Sequence, residues 1–332
     1  METTSVMIQS LCAPCFCRCR YCLLSWDGRV CGAEWSRAVS LAERYMGELR
    51  EAMPSVSLSF SFGYSMEHPD IKTALRTLRR LGSPEAEFLQ CDGMRMRDEK
   101  ECAELMELLV SEGVKQLNFT VYGLPRYHDA FAGRKGDHAL ILRMMAAKAA
   151  GLSISAGLPL NSENIGETDA LLGVLHEAGC DKTRLFIPHR EGRGKRLEEI
   201  RLSYGELLKL SPSSQALLNR KIFRTEAEWL SEESPVRGEE RMILISLRGD
   251  NIEEYEAQSA VSAVREVEAL DEAYYAAFPA FSELAAFYGD ARGDKLFRIR
   301  DLYALYRDRY AAEHGVSVYD VTDERYSGSR RS

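Results

Sequence analysis

No stretch of this sequence approaches the roughly 18 consecutive apolar residues of a membrane span. Met1–Leu11 lacks the charged start and apolar core of a secretory signal. The expected compartment is therefore the cytoplasm, with no membrane partner. Positive charge is in deficit: 43 Lys and Arg stand against 51 Asp and Glu, a net charge of −8. Broad sequence-independent binding to nucleic acid needs a basic surface, so it is not expected. The 24 glycines and 10 prolines show no short period, which excludes fibrous repeats. With 45% hydrophobic and 28% charged residues the chain is not a disordered one either. Its 332 residues suggest about two domains.

Cysteine is absent after Cys180, yet there are nine in all. Cys12, Cys15, Cys17, Cys19 and Cys22 crowd one short segment, while Cys31, Cys91, Cys102 and Cys180 are scattered. A disulfide scaffold spreads its cysteines along the chain, whereas a local cluster in a reducing compartment points to metal. Cys15, Cys19 and Cys22 have the spacing C-x3-C-x2-C. Three thiolates on a tight loop suit three irons of a [4Fe-4S] cluster and leave the fourth open. The same segment also contains two C-x2-C pairs, Cys12/Cys15 and Cys19/Cys22, which would supply a four-thiolate zinc knot. Zinc ribbons usually separate their pairs by more residues. Cys12 and Cys17 are extras in the iron reading.

From residue 4 to about 200 short apolar runs alternate with amphipathic ones. Ser55–Phe62 has a period of two, with Val56, Leu58, Phe60 and Phe62 between serines. Further strands are expected at Ser5–Leu11, Glu87–Cys91, Val114–Tyr122, Leu152–Leu158 and Thr183–Pro188. Helices are expected at Ala33–Ala52, Ile71–Leu81, Glu99–Gly113, Asp137–Ala150 and Ile165–Ala178, several closed by glycine. Six strands alternating with helices imply an α/β fold with parallel pairing, a partial (β/α)6 TIM-like barrel. On such folds chemistry sits at the carboxyl ends of the strands. After about 205 the rhythm changes. Tyr204–Asn219 reads as helix, Ser231–Glu240 as a polar loop, Arg241–Leu247 as a strand and Asn251–His314 as almost wholly helical. The expected division is 1–205, the barrel, and 206–332, a mainly helical domain with a loose tail from about Asp323. Its aromatic stripe, Tyr274 to Tyr306 and including Phe287, is expected to pack as core.

The segment Cys15-Phe-Cys17-Arg-Cys19-Arg-Tyr21-Cys22, placed just after a first strand, resembles the cysteine loop of radical S-adenosyl-L-methionine (radical SAM) enzymes. The resemblance implies that Cys15, Cys19 and Cys22 hold a [4Fe-4S] cluster whose open iron takes SAM, with Tyr21 beside the cofactor. Reductive cleavage of SAM would then yield a 5′-deoxyadenosyl radical that abstracts a substrate hydrogen. Five later turns are similar to family stations, in order. Gly63, Tyr64 and Ser65 stand where the family carries Gly-Gly-Glu-Pro and receives the SAM amino group. Ser65 replaces the acid, and Glu67 is a candidate substitute. Gln90-Cys91-Asp92-Gly93 is similar to a Thr-Asn-Gly turn. Thr120-Val-Tyr122-Gly123, Tyr127-His128-Asp129 and Gly133-Arg134 follow, implying Thr120 at the ribose or carboxylate and Arg134 at the carboxylate. Asn161 would face the ribose, and Phe186, ending the last strand, the adenine.

The resemblance covers about 60% of the chain and implies an electron donor such as flavodoxin or ferredoxin. The lack of cysteine after Cys180 disfavours a second cluster in the C-terminal part. A peptide or protein side chain is the expected substrate. A nucleoside or small metabolite is the alternative, as is a non-enzymatic zinc or redox module.

Overall fold

A computed structural model describes residues 2–13, 15–22, 32–233, 235 and 240–316. Cys31, Gly238 and the tail from Asp323 lie outside the described residues. The elements run β1 (Glu2–Leu11), α1 (Trp35–Ala52), β2 (Ser57–Gly63), α2 (Ile71–Arg80), β3 (Phe88–Gln90), α3 (Glu99–Ser111), β4 (Gln116–Thr120), α4 (Pro125–Ala132), α5 (Asp137–Ala146), β5 (Ser153–Pro159), α6 (Thr168–Glu177) and β6 (Lys182–Phe186). Then come α7 (Tyr204–Leu207), α8 (Pro212–Gln215), β7 (Arg224–Thr225), α9 (Glu226–Leu230), β8 (Glu240–Leu247), α10 (Ile252–Glu256), α11 (Ala260–Ala276), α12 (Phe281–Tyr288), β9 (Leu296–Phe297) and α13 (Ile299–His314).

The core is a partial parallel (β/α) barrel, and the C-terminal region is mainly helical. Two parallel sheets form it, ordered β2-β1-β8 and β3-β4-β5-β6. The barrel is opened between β2 and β3, where no ladder joins the two sheets. β3 is only three residues long, and Glu85 bridges the gap from the turn before it. Its carboxylate accepts from the Phe62 N–H at 3.0 Å and the Ser61 hydroxyl at 2.5 Å. Glu85→Ala therefore takes the acceptor from two donors on buried residues, and about 1–3 kcal/mol of stability should be lost. The urea midpoint measures this; an unchanged midpoint means that the sheets hold their spacing without the carboxylate.

The C-terminal region enters the barrel itself. β8 pairs in parallel with β1 from Glu2 against Glu240 to Ser10 against Leu247, with a register shift between Thr3 and Ser5. Helix α1 turns Leu41, Ala42, Tyr45 and Leu49 inward at helical spacing. Its other contacts include the Tyr45 hydroxyl on the Tyr255 carbonyl at 2.7 Å. Trp229, Phe281, Leu284, Phe297, Leu302 and Tyr306 form a separate small core, and the Trp229 indole donates to the Phe297 carbonyl at 2.9 Å.

Three expectations change. Tyr204–Asn219 is not one helix but two single turns, because Ser211 caps a new start at Pro212, which cannot continue the first. Asn251–His314 is mainly helical but divided into four helices, with breaks after Glu256, after Ala276 near Pro279, and at the Gly289–Gly293 turn before β9. Phe287 is 85% exposed and no part of a core. No helix among the described residues is long and apolar enough to cross a membrane.

Candidate active site

The cysteine loop leaves β1 at Leu11 and runs across the carboxyl ends of the parallel strands. Its backbone is tied to one strand end after another. Cys12 N–H donates to the Gly63 carbonyl after β2 (2.8 Å), and Phe16 N–H to Gly93 after β3 (2.9 Å). Arg18 and Arg20 donate to Ala132 (2.7 Å) and Phe131 (2.9 Å) in α4, and Arg193 N–H, after β6, donates to the Cys22 carbonyl (3.0 Å).

The thiols have different surroundings. Cys15 is half-buried and is held down to about 6 by the hydrogen bond from the Cys17 side chain, with Tyr64 adding a second. Cys17 is buried, and its thiol is pushed up by hydrogen bonding with the neighbouring Cys15 and Cys19 thiols, by burial and by the Asp137 carboxylate 3.7 Å away. Cys12 is pushed up by burial and by Glu85. Cys19 accepts from the Tyr122 hydroxyl at 3.2 Å. Tyr64 lies beside Cys15 and Cys22.

Gly93 and Tyr64 shape the floor under Cys15. Gly93 has φ +63°, and a Cβ there would lie 2.2 Å from the Cys15 sulfur. Tyr64 has φ 61°, alone among the described non-glycine residues in being positive. That left-handed backbone costs about 1–3 kcal/mol and persists only where surroundings over-determine it. Here it aims the ring at Cys15 and Gly93.

The residues implied for SAM fall into three groups. Tyr21, Tyr64 and Thr120 gather around the loop. Tyr21 packs edge-on to Tyr122, centroids 5.6 Å apart, and hydrogen-bonds toward Thr120. Thr120 gives its N–H (2.9 Å) and hydroxyl (3.0 Å) to Asp92. Gly63 ends β2, and Ser65 is buried in the turn that follows. Arg134 is already engaged, with one nitrogen on Asp137 and another on the Met94 carbonyl, while its buried Nε has no partner. Asn161 lies two residues after β5, and Phe186 ends β6. The Asn161 Oδ1 accepts from Tyr127, Glu163 and Asn164, and its buried Nδ2 has no partner. Phe186 packs on His189 and lies close to Gly157. Glu67, the candidate substitute acid, is spent on Arg97 (2.7 Å) and the Arg95 N–H (3.1 Å).

The sequence places Asp92, Tyr122 and His128 in turns similar to family stations without giving any of them a role of its own, and Asp137 enters it only as a helix start. Asp92 is pushed up by burial. His128 accepts from the Tyr122 N–H at 3.0 Å through Nδ1, so its Nε2 carries the proton and donates to Asp137 at 2.9 Å. Burial pushes Asp137 up, but bonds from His128 and Arg134 more than offset it and hold the carboxyl below its ordinary range. Asp92 and Tyr122 follow β3 and β4, His128 lies within α4 and Asp137 opens α5. Polarity just after a strand or at a helix start is also explained by turn and cap chemistry.

A buried histidine next to this network makes stability pH-dependent. Burial, then His128, lowers His138 to about 4; burial, then Arg298, does the same for His189. Unfolded histidine takes its proton near about 6.5. The folded chain therefore binds fewer protons between those values, so stability is full above about 6.5 and falls as pH drops toward 4. The melting temperature should decline over that window, and His138→Leu should flatten the decline.

Among the described residues no three His, Cys, Asp or Glu side chains are grouped to hold a metal ion. What fits a thiolate ligand is Cys15, whose thiol loses its proton readily, as a ligand must, and beneath which Gly93 leaves room.

No family model and no curated protein sequence matches the chain. Among solved structures it is similar to Streptococcus suis SuiB bound to S-adenosylmethionine, at 12% identity and TM-score 0.41, over 74% of this chain and 47% of that one. SuiB bound to the precursor peptide SuiA gives 13% and 0.41, over 57% and 40%. Coproporphyrinogen III oxidase (HemN) from Escherichia coli, a radical SAM enzyme, gives 14% and 0.42, over 75% and 66%. The chain thus spans less than half of either SuiB structure.

Proposed function

We propose that this chain is a radical SAM enzyme with a single [4Fe-4S] cluster. The observation that carries the reading is the C-x3-C-x2-C loop, tied across the carboxyl ends of the parallel strands with Cys15 favouring the thiolate. Cys15, Cys19 and Cys22 would hold the cluster. Bound together, cluster and SAM would supply a 5′-deoxyadenosyl radical that takes a hydrogen from the substrate.

The chain's own residues bind and orient. Gly63, Tyr64 and Ser65 offer carbonyls and a hydroxyl to the SAM ammonium, in place of the family's acid. Thr120 and the free Nδ2–H of Asn161 serve the ribose, and the free Nε–H of Arg134 serves the carboxylate. Tyr21 and Phe186 present rings to the apolar parts and exclude water. Residues 1–205 would form most of the catalytic core, completed by β8 from the otherwise mainly helical 206–332.

The substrate we favour is a peptide or protein side chain, with flavodoxin or ferredoxin as electron donor. The test is anaerobic reconstitution followed by reduction with SAM present. Iron and sulfide near four per chain and release of 5′-deoxyadenosine support the proposal. One zinc without sulfide sinks it. Deuterium passing from a labelled peptide into 5′-deoxyadenosine would settle the substrate class against a nucleoside.

A further inference from the structure

The residue above Cys19 is unlike a passive wall. Tyr122 is 5% exposed, and its hydroxyl points at the Cys19 sulfur from 3.2 Å. The ring has no freedom to leave. Phe131, His128 and Tyr21 pack around it with centroids 4.7, 5.1 and 5.6 Å away. Its own N–H is bound to His128 Nδ1, and His128 is bound in turn to Asp137. Asp137 also accepts from Arg134 and meets the Cys17 thiol. The extra cysteine, Cys17, thus belongs to the support of this tyrosine and is turned toward a carboxylate.

We infer that Tyr122 raises the reduction potential of the cluster by donating a hydrogen bond to the Cys19 sulfur. The inference rests on the proposed function, because it requires Cys19 to be a ligand. One-electron reduction adds negative charge that the ligating sulfurs share. A fixed donor on a sulfur stabilises the reduced form more than the oxidised one, and hydrogen bonds to the sulfurs are among the factors that set cluster potentials. Little water competes at a buried site, so the bond keeps its electrostatic strength. Because SAM cleavage draws on the reduced cluster, Tyr122 is a positioning and tuning residue, distinct from the ligands and from the SAM contacts.

The experiment is a redox titration of the reconstituted protein, followed by electron paramagnetic resonance of the reduced cluster. Tyr122→Phe removes only the hydroxyl. It should keep iron and sulfide near the wild-type content and shift the midpoint downward. At the wild-type midpoint the reduced-to-oxidised ratio should fall about 3–10-fold, tenfold being 59 mV for one electron. A second protein carries 3-fluorotyrosine at position 122, a stronger donor of nearly the same shape, and its midpoint should move upward. If Tyr122→Phe cannot retain a cluster, the fluorotyrosine protein decides alone. A cluster of full content whose midpoint ignores both changes overturns the inference and leaves the proposed function standing. A wild-type chain that binds no iron–sulfur cluster overturns the proposed function first, and the inference with it.

Discussion

Cys15→Ala should abolish release of 5′-deoxyadenosine, whereas Cys12→Ala should leave it nearly intact. The two thiols are three residues apart and both are partly buried, but their surroundings oppose each other. Cys15 receives hydrogen bonds that favour its charged form, and Cys12 is desolvated beside the Glu85 carboxylate, which disfavours it. A metal ligand has to be the thiolate. Losing a ligand should therefore cost more than the roughly 10–100-fold that changes to supporting residues cost, with bound iron falling in parallel. Iron content and 5′-deoxyadenosine are measured on the same anaerobic preparation. An essential Cys12 with a dispensable Cys15 would mean that the ligand frame is displaced toward the two C-x2-C pairs, and the radical chemistry would lose its source.

Gly93→Ala should be almost as severe, for a steric reason. A methyl group at this position would sit 2.2 Å from the Cys15 sulfur and 3.3 Å from the Tyr64 ring, so the loop and the glycine cannot keep their places. The φ of +63° adds a backbone penalty that any L side chain meets. Gly82 separates the two effects. It has φ +73° with nothing within 4 Å of its would-be Cβ. Gly82→Ala should lose about 1 kcal/mol or somewhat more and still bind iron normally. Gly93→Ala should lose stability and cluster together. Equal iron content in both variants would remove Gly93 from the site.

Much of this architecture was legible because it is local. β2 shows its period of two, α1 its apolar stripe, and glycine ends several helices where a left-handed residue is needed. The strands were placed to within a few residues for the same reason. Glu85 was not legible. It reads as one more charged residue before a short strand, and only the gap between β2 and β3 makes its carboxylate an acceptor for Ser61 and Phe62. The commitment of Glu67 to Arg97, and of Arg134 to Asp137, was hidden likewise. Charge shows that a residue can pair and leaves the partner open.

By itself, the sequence determined the alternation of strands and helices, the parallel pairing it implies, and a C-x3-C-x2-C triplet behind the first strand. These are periodicities and spacings within a few turns of chain, where backbone geometry leaves little choice. The tertiary structure alone decided that β8 closes against β1 from more than 200 residues away, that Cys17 faces Asp137, and that Tyr122 covers Cys19. Such contacts depend on where distant segments meet once the core is buried, and they leave no period in the sequence.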